Sequence, residues 1–416
     1  MLRPALAVTL LVSLAAAALA ADAWPSWRGP KQTGVAPGKG FPTTWSDKEN
    51  IQWKITLPGK GSSSPLVWQD KIVVTYGMKG ENAVGCFNRA GELLWQKTLG
   101  KEVAGKNKKA TGSNPSPTTD GQHIYVYFKS GDLAAYDFGG KLVWQHNLQK
   151  DYGADTLWWD LGTSPVLTKD AVVVAVMQTG PSYLVAFDKT SGEVKWKQDR
   201  NLDAPEEAAQ AYSTPVVFTH DGEEQMVVLG ADHVTCHRAA DGKELWRVGG
   251  LNPTNHRYFR SISGPVVESG MVIAPYARGA TVTGIKLGGS GDVTKTHVAW
   301  TRDDLGADVP TPAAADGKAY VCSDKGKVTC IDVQTGKTIW TVEGEKHRDA
   351  FSTSPILADG KLYTMREDAT VFVVDCQKKE IVAKNSLAEE YAVATPAFVD
   401  GAIFLRTLEH LYCIGK

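Results

Sequence analysis

The sequence predicts an all-β protein, an eight-bladed β-propeller of four-stranded antiparallel blades closed by its own N-terminal strand. Three observations carry that expectation. A Ser/Thr-Pro pair opening a short apolar run recurs along the chain, a glycine turn leading into a tryptophan recurs between the copies, and the last copy stops one strand short.

The first strand of each unit starts at Pro65, Pro117, Pro165, Pro215, Pro265, Pro312, Pro355 and Pro396, as in "SPLVW", "TPVVF" and "SPILA", with spacings of 41 to 52 residues. Proline has no N–H to give to a ladder, so it is tolerated on an edge or at the first residue of a strand. The innermost strand of a blade is such an edge, facing the central channel. A turn such as Asp316-Gly317 follows, then a β-branched and aromatic run such as "KLYTM", a second turn, a short third strand, and the Gly turn that leads into the Trp strand. Short strands at this period, punctuated by Gly and Asp, are the pattern of propeller blades.

The turn itself invites a different reading. In "CIDVQTGKTIW", Cys330 to Trp340, the letters Gly336-Lys337-Thr338 resemble the end of a phosphate-binding loop. That loop needs G-x-x-x-x-G-K-[ST], and its first glycine is replaced here by Ile331. The same element returns as "CFNRAGELLW", "AYDFGGKLVW", "AFDKTSGEVKW" and "CHRAADGKELW". It belongs to the repeat, not to a nucleotide site.

Trp53, Trp95, Trp144, Trp196, Trp246, Trp300 and Trp340 take equivalent outer-strand positions, with Ala383 in the seventh blade. Ring-by-ring recurrence suits inter-blade packing, the alternative being an aromatic binding surface; loss of one such indole should cost about 3 to 5 kcal/mol. A second ring, Cys86, Ala135, Ala186, Cys236, Gly284, Cys330, Val373 and Cys413, is uniformly compact, which accounts for four of the six cysteines as buried small residues. Cys322 and Cys330 flank the "SDKGKVT" hairpin and are the candidate disulfide. With no C-x-x-C and no H-E-x-x-H, no metal site is expected.

Closure is legible in the eighth copy, whose three strands, near Ala397 to Val399, Ala402 to Arg406 and His410 to Ile414, lack a fourth. "NIQWKITL", Asn50 to Leu57, matches "KLVWQHNL" with Trp53 in the Trp position, so it should complete that blade and leave no open edge.

Ahead of the propeller, residues 1–21 read as a signal peptide: Arg3, an apolar run from Ala5 to Leu19, and the small-residue site Ala18-Leu19-Ala20. Residues 22–49 form an N-terminal strap and 50–416 the propeller. No cysteine follows the cleavage site to carry a lipid, and no later apolar run is long enough to span a membrane, so a periplasmic or secreted monomer without membrane insertion is expected. Losing Arg3 takes the net charge from −1 to −2, which gives no electrostatic case for nucleic acid.

The repeated A/C-x-D-x-x-T-G-x-x-x-W turn, the Ser/Thr-Pro inner strand and the eightfold count resemble the PQQ-like (pyrroloquinoline quinone repeat) propeller superfamily. "WPSWRGPKQTGVAP", Trp24 to Pro37, further resembles the strap of its secreted, planctomycete-type bacterial branch. The superfamily holds both BamB-like cofactor-free scaffolds and quinoprotein alcohol dehydrogenases. The dehydrogenase resemblance implies PQQ with Ca²⁺, a vicinal cysteine pair over the quinone, a Glu, Asn and Asp ligand set and a catalytic Asp. This chain has no adjacent cysteines, and neither the ligands nor the base match positions in it. No cofactor is therefore expected, PQQ with Ca²⁺ belonging to the alternative reading.

Site candidates lie in the long loops that enter the inner strands. They concentrate Trp158, Trp159, Asp160, Tyr212, His256, Arg257, Tyr258, Phe259 and Arg260, with Phe351 and Tyr391 at the same point in later blades. Aromatic residues beside arginine are the composition of binding hot spots, and Arg257 with Arg260 suits a bidentate clamp on a carboxylate or phosphate. The expectation is a non-catalytic protein that binds a peptide, protein or glycan through this face; a quinoprotein oxidoreductase is the alternative.

Overall fold

The Ser/Thr-Pro pairs set where the blades begin. The computed structural model describes residues 23–46, 48–387 and 390–415. The expected signal peptide, residues 1–21, lies outside the described residues. In blade six the chain runs outward from the channel as Ala313–Ala315, Lys318–Cys322, Val328–Asp332 and Thr338–Val342, each strand antiparallel to the last. Seven further sheets repeat this inner-to-outer order. Blade eight is made of Ala397–Val399, Ala402–Arg406 and His410–Ile414, and its outer strand is Ile51–Thr56, with Trp53 opposite Cys413. The chain thus closes its ring with its own N-terminal strand.

Two sheets exceed four strands. Gly291–Asp292 adds a short parallel strand outside blade four, and Ala23–Trp24 pairs with Val67 and Trp68 on the channel side of blade one. From there the N-terminal segment crosses the channel. Pro25 O accepts from Thr119 N at 2.9 Å, Thr33 O from Ala314 N at 3.0 Å and Gly34 O from Leu357 N at 2.8 Å. Arg28, wholly buried, donates to the carbonyls of Thr311 and Pro312, and burial lowers its pKa to about 9. The inner strands are edges, so their free backbone groups are what the crossing segment satisfies.

The two rings read from the sequence face each other. Cys86, Ala135, Ala186, Cys236, Gly284, Cys330, Val373 and Cys413 pair with Trp95, Trp144, Trp196, Trp246, Trp300, Trp340, Ala383 and Trp53, and a bulge adjoins every pair. The small side chain leaves room for the indole. Five of the seven indoles then reach across the blade boundary: Nε1 of Trp53, Trp95, Trp144, Trp196 and Trp300 donates to a turn carbonyl of the next blade at 2.8 to 3.2 Å. Trp246 departs from the pattern, its buried Nε1 having no partner, because the turn after Lys286 in blade five is "LGGSGD" and lacks the motif.

The candidate disulfide is not formed. All six cysteines are free, since the hairpin register places Cys322 opposite Val328 and Cys330 opposite Tyr320. The two sulfurs are diagonal neighbours, and diagonal positions stand about 7 to 8 Å apart, beyond disulfide reach.

Candidate functional site

Antiparallel blades put all strand-four-to-strand-one loops on one face, together with the hairpins between strands two and three. The Gly turns occupy the opposite face. At the root of the loop face, the residues preceding the prolines link neighbouring blades. Ser64 N–H donates to Ser116 Oγ at 2.9 Å, Ser116 N–H to Ser164 Oγ at 2.9 Å and Ser164 N–H to Thr214 Oγ1 at 3.0 Å. The chain breaks at Gly264, which has no hydroxyl, and resumes from Gly264 N to Thr311 Oγ1 at 2.7 Å, Thr311 N to Ser354 Oγ at 3.0 Å and Ser354 N to Thr395 Oγ1 at 3.1 Å. This explains why the prolines follow Ser or Thr. The hydroxyl accepts an N–H that the proline-led edge leaves unpaired.

Above this ring lies a cavity of about 440 Å³ to which every blade-connecting loop contributes, and Trp27 of the crossing segment lines its base. Of the residues expected at the site, Trp159, Asp160, Tyr212 and Arg260 line it. Asp160 is buried and held by Lys129 Nζ and by the N–H groups of Lys106 and Asn107 at 2.9 and 3.1 Å, so it anchors the loop above it. Arg260 is buried in a bidentate pair with Asp308 at 2.6 and 2.9 Å. Tyr212 donates to Gln210 Oε1 at 2.9 Å, and burial raises its pKa.

The other candidates lie elsewhere. Trp158 is 46 % exposed, outside the cavity lining, with Tyr258, Arg257 and His256 at the surface. Arg257 pairs with Glu206, its Nε at 2.8 Å, and its guanidinium stands 4.9 Å over the Tyr258 ring, while His256 stacks on Phe259 with centroids 4.2 Å apart. The expected clamp of Arg257 with Arg260 is therefore not assembled: adjacent turns send one outward to Glu206 and the other inward to Asp308. Phe351 is a correction as well, buried against Phe372 and over Gly326 because its loop folds back onto blades six and seven. Tyr391 donates to Glu367 Oε2 at 3.2 Å, away from the cavity lining.

Sequence reasoning missed three contributors. Trp27 belongs to the strap; Arg278 sits in the short hairpin between the second and third strands of blade five, not in one of the long loops; and Lys109 reaches from the loop before blade two to Glu367 in blade seven. Only the third had a signal, the basic run "KNKK".

The family model described as "Outer membrane protein assembly factor BamB" matches residues 43–178 and 140–385. The chain belongs to the BamB family. The outer membrane protein assembly factor BamB of Yersinia pestis is 23 % identical over 328 residues, covering 76 % of this chain and 75 % of the relative. Among solved structures, BamB from Moraxella catarrhalis superposes with a TM-score of 0.63 at 15 % identity, over 88 % of this chain and 98 % of that one. A europium-containing methanol dehydrogenase superposes at 0.70 with 13 % identity, over 92 % and 89 %. At these identities the structural likenesses show the shared propeller alone. Among the described residues no helix is long and apolar enough to cross a membrane.

The BamB-family cavity does not fit the calcium that the dehydrogenase resemblance implies. Calcium takes about six to eight oxygen ligands, several of them carboxylate. The two carboxylates lining this cavity, Asp160 and Asp308, are already occupied by Lys129 and Arg260. A separate group, His347, Asp349 and Asp368, brings its ligand atoms within 4.8 Å, but Arg366 already holds Asp368 at 2.8 and 3.0 Å.

Proposed function

We propose that this BamB-family propeller is an exported, non-catalytic scaffold that captures a protein or peptide on its loop face. The observation that carries this reading is the exposed aromatic patch. Trp158, Trp159 and Tyr258 are 46, 45 and 37 % exposed. They are held together by the 3₁₀ turn Glu206–Ala209, where Glu207 accepts from Trp159 Nε1 at 2.7 Å and Glu206 pairs with Arg257. Large aromatics fixed at their bases and bare on top, beside a cation, are what a partner buries as hot spots. The signal-peptide pattern expected in residues 1–21 supports export, and the Y. pestis relative is named for an assembly role.

The test is a pull-down from periplasmic extract, with glycan capture in parallel, comparing wild type with Trp158→Ala and Arg257→Ala. Capture should weaken by about 2 kcal/mol or more in the tryptophan variant while the melting curve stays put. Undiminished capture by both variants would move the partner off this patch.

A quinoprotein oxidoreductase is the second reading, favoured by the central cavity and its indole base and opposed by the occupied carboxylates. Incubation with PQQ and Ca²⁺, followed by absorbance and dye reduction with alcohols and sugars, decides between the two.

A further inference from the structure

We infer that the central cavity is a binding site for an oxyanion, the carboxylate or phosphate of a small organic molecule, held between the hydroxyl ring and Arg278. The site shares only the Trp159 indole with the aromatic patch on the rim and stands or falls independently of the partner captured there.

The hydroxyls supply the first observation. Ser64, Ser116, Ser164, Thr214, Ser354 and Thr395 all line the cavity, and each is less than a tenth exposed. A hydroxyl has one proton and two lone pairs. In five of the six the oxygen already accepts an N–H from the neighbouring blade, which leaves the proton to give and polarises the O–H for giving it. No acceptor for these protons stands among the described residues, and Ser64 Oγ makes no hydrogen bond there at all. A ring of buried donors without acceptors fits a ligand rich in lone pairs and is a poor cradle for a metal cation.

Arg278 is the second. The wall carries three cations, and two are matched: Lys109 by Glu367 and Arg260 by Asp308. Arg278 is exposed on the cavity wall and forms no ion pair or hydrogen bond among the described residues. Its backbone is set by the hairpin, with Ala277 and Arg278 both left-handed at φ 53° and 55°, as Ala231 and Asp232 are at 52° and 61° in the matching hairpin of blade four. Residues other than glycine rarely adopt that conformation, so the direction in which the Arg278 side chain leaves the backbone is fixed by the turn. The indoles of Trp27 and Trp159 and the side chains of Ile262, Val309 and Val393 offer an apolar bed for the rest of the ligand, and about 440 Å³ suits a small organic molecule.

Isothermal titration of the mature chain with inorganic phosphate, with benzoate and with the neutral isostere benzamide, at constant ionic strength, tests the inference. Phosphate or benzoate should bind and benzamide should bind at least about tenfold more weakly, the headgroup that titrates naming the oxyanion. Arg278→Asn keeps a residue that tolerates the left-handed backbone and should weaken binding about tenfold. Ser64→Ala removes a hydroxyl not used between blades and should weaken it several-fold, both variants melting as wild type. Failure of both oxyanions to bind, equal binding of benzamide and benzoate, or unchanged affinity in Arg278→Asn would each overturn it.

Discussion

Trp300 of blade five lies flat against Gly336 of blade six. Its Nε1 donates to Val333 O at 3.0 Å, and a Cβ on Gly336 would fall 2.5 Å from the ring, on a backbone already at φ +68°. The pairs Trp53 and Gly91, Trp95 and Gly140, Trp144 and Gly192, and Trp196 and Gly242 repeat the contact. Gly336→Ala should therefore destabilise by about 2 kcal/mol or more, from backbone strain and from displacing the indole, and Trp300→Ala by about 3 to 5 kcal/mol. Urea unfolding of the two variants and of the double variant checks this; the double variant should fall well short of the sum, because the two residues share one contact.

Ring closure makes the N-terminal strand indispensable. Removing residues up to Leu57 strips the outer strand from blade eight and bares the edge at His410–Ile414. Such a truncation is expected to aggregate or to lose its cooperative transition. A monomeric truncation that melts like the full chain would refute the role given to this strand.

Arg257 and Arg260 should behave differently despite their proximity in sequence. Arg257 is an exposed surface pair with Glu206, so Arg257→Ala should change stability by less than about 0.5 kcal/mol. Arg260 is buried on Asp308 with Glu207 at 3.7 Å, and Arg260→Ala would strand carboxylates at a cost of about 3 kcal/mol or more. Differential scanning calorimetry of the two single variants separates them.

The thiols report packing. Burial pushes Cys86 and Cys330 up to about 12 and Cys376 and Cys413 up to about 11, so almost no thiolate exists in the native state near neutrality. Ellman titration should find six thiols after denaturation and slow reaction before it, with the half-buried Cys376 reacting first. A count of four would restore a disulfide.

Glu390 ties the last loop to the closing strand. Burial alone would raise its pKa, but the hydrogen bonds from Tyr412 and Lys54, with Thr407 and His410 close by, outweigh it and hold the carboxyl at about 2. A depressed carboxyl contributes stability that is complete above its unfolded value of 4.5 and is lost as pH falls toward 2. Glu390→Gln should flatten the acid limb of the stability profile in that window by about 1 kcal/mol, solvent screening included, and leave the slope above pH 5 untouched. Thermal melts at half-unit pH steps measure it.

The blade count, the blade boundaries, the closing strand and the existence of a compact ring and a tryptophan ring were all legible in the sequence, because each is set by local chemistry repeated around the propeller. Proline cannot sit mid-ladder, glycine takes the left-handed position of most of the tight turns, and strand alternation has a period of two. The serines and threonines before the prolines were visible too, but not their purpose, since their acceptors' partners lie in the neighbouring blade. The site was legible only in composition. That Arg260 turns inward while Arg257 turns outward, that Phe351 is buried, that Trp27 forms the base of a cavity and that Arg278 is left unmatched all depend on which loops meet over the channel. Residues as distant as Lys109 and Glu367 are brought together there by ring closure, and no local preference of the chain encodes that meeting.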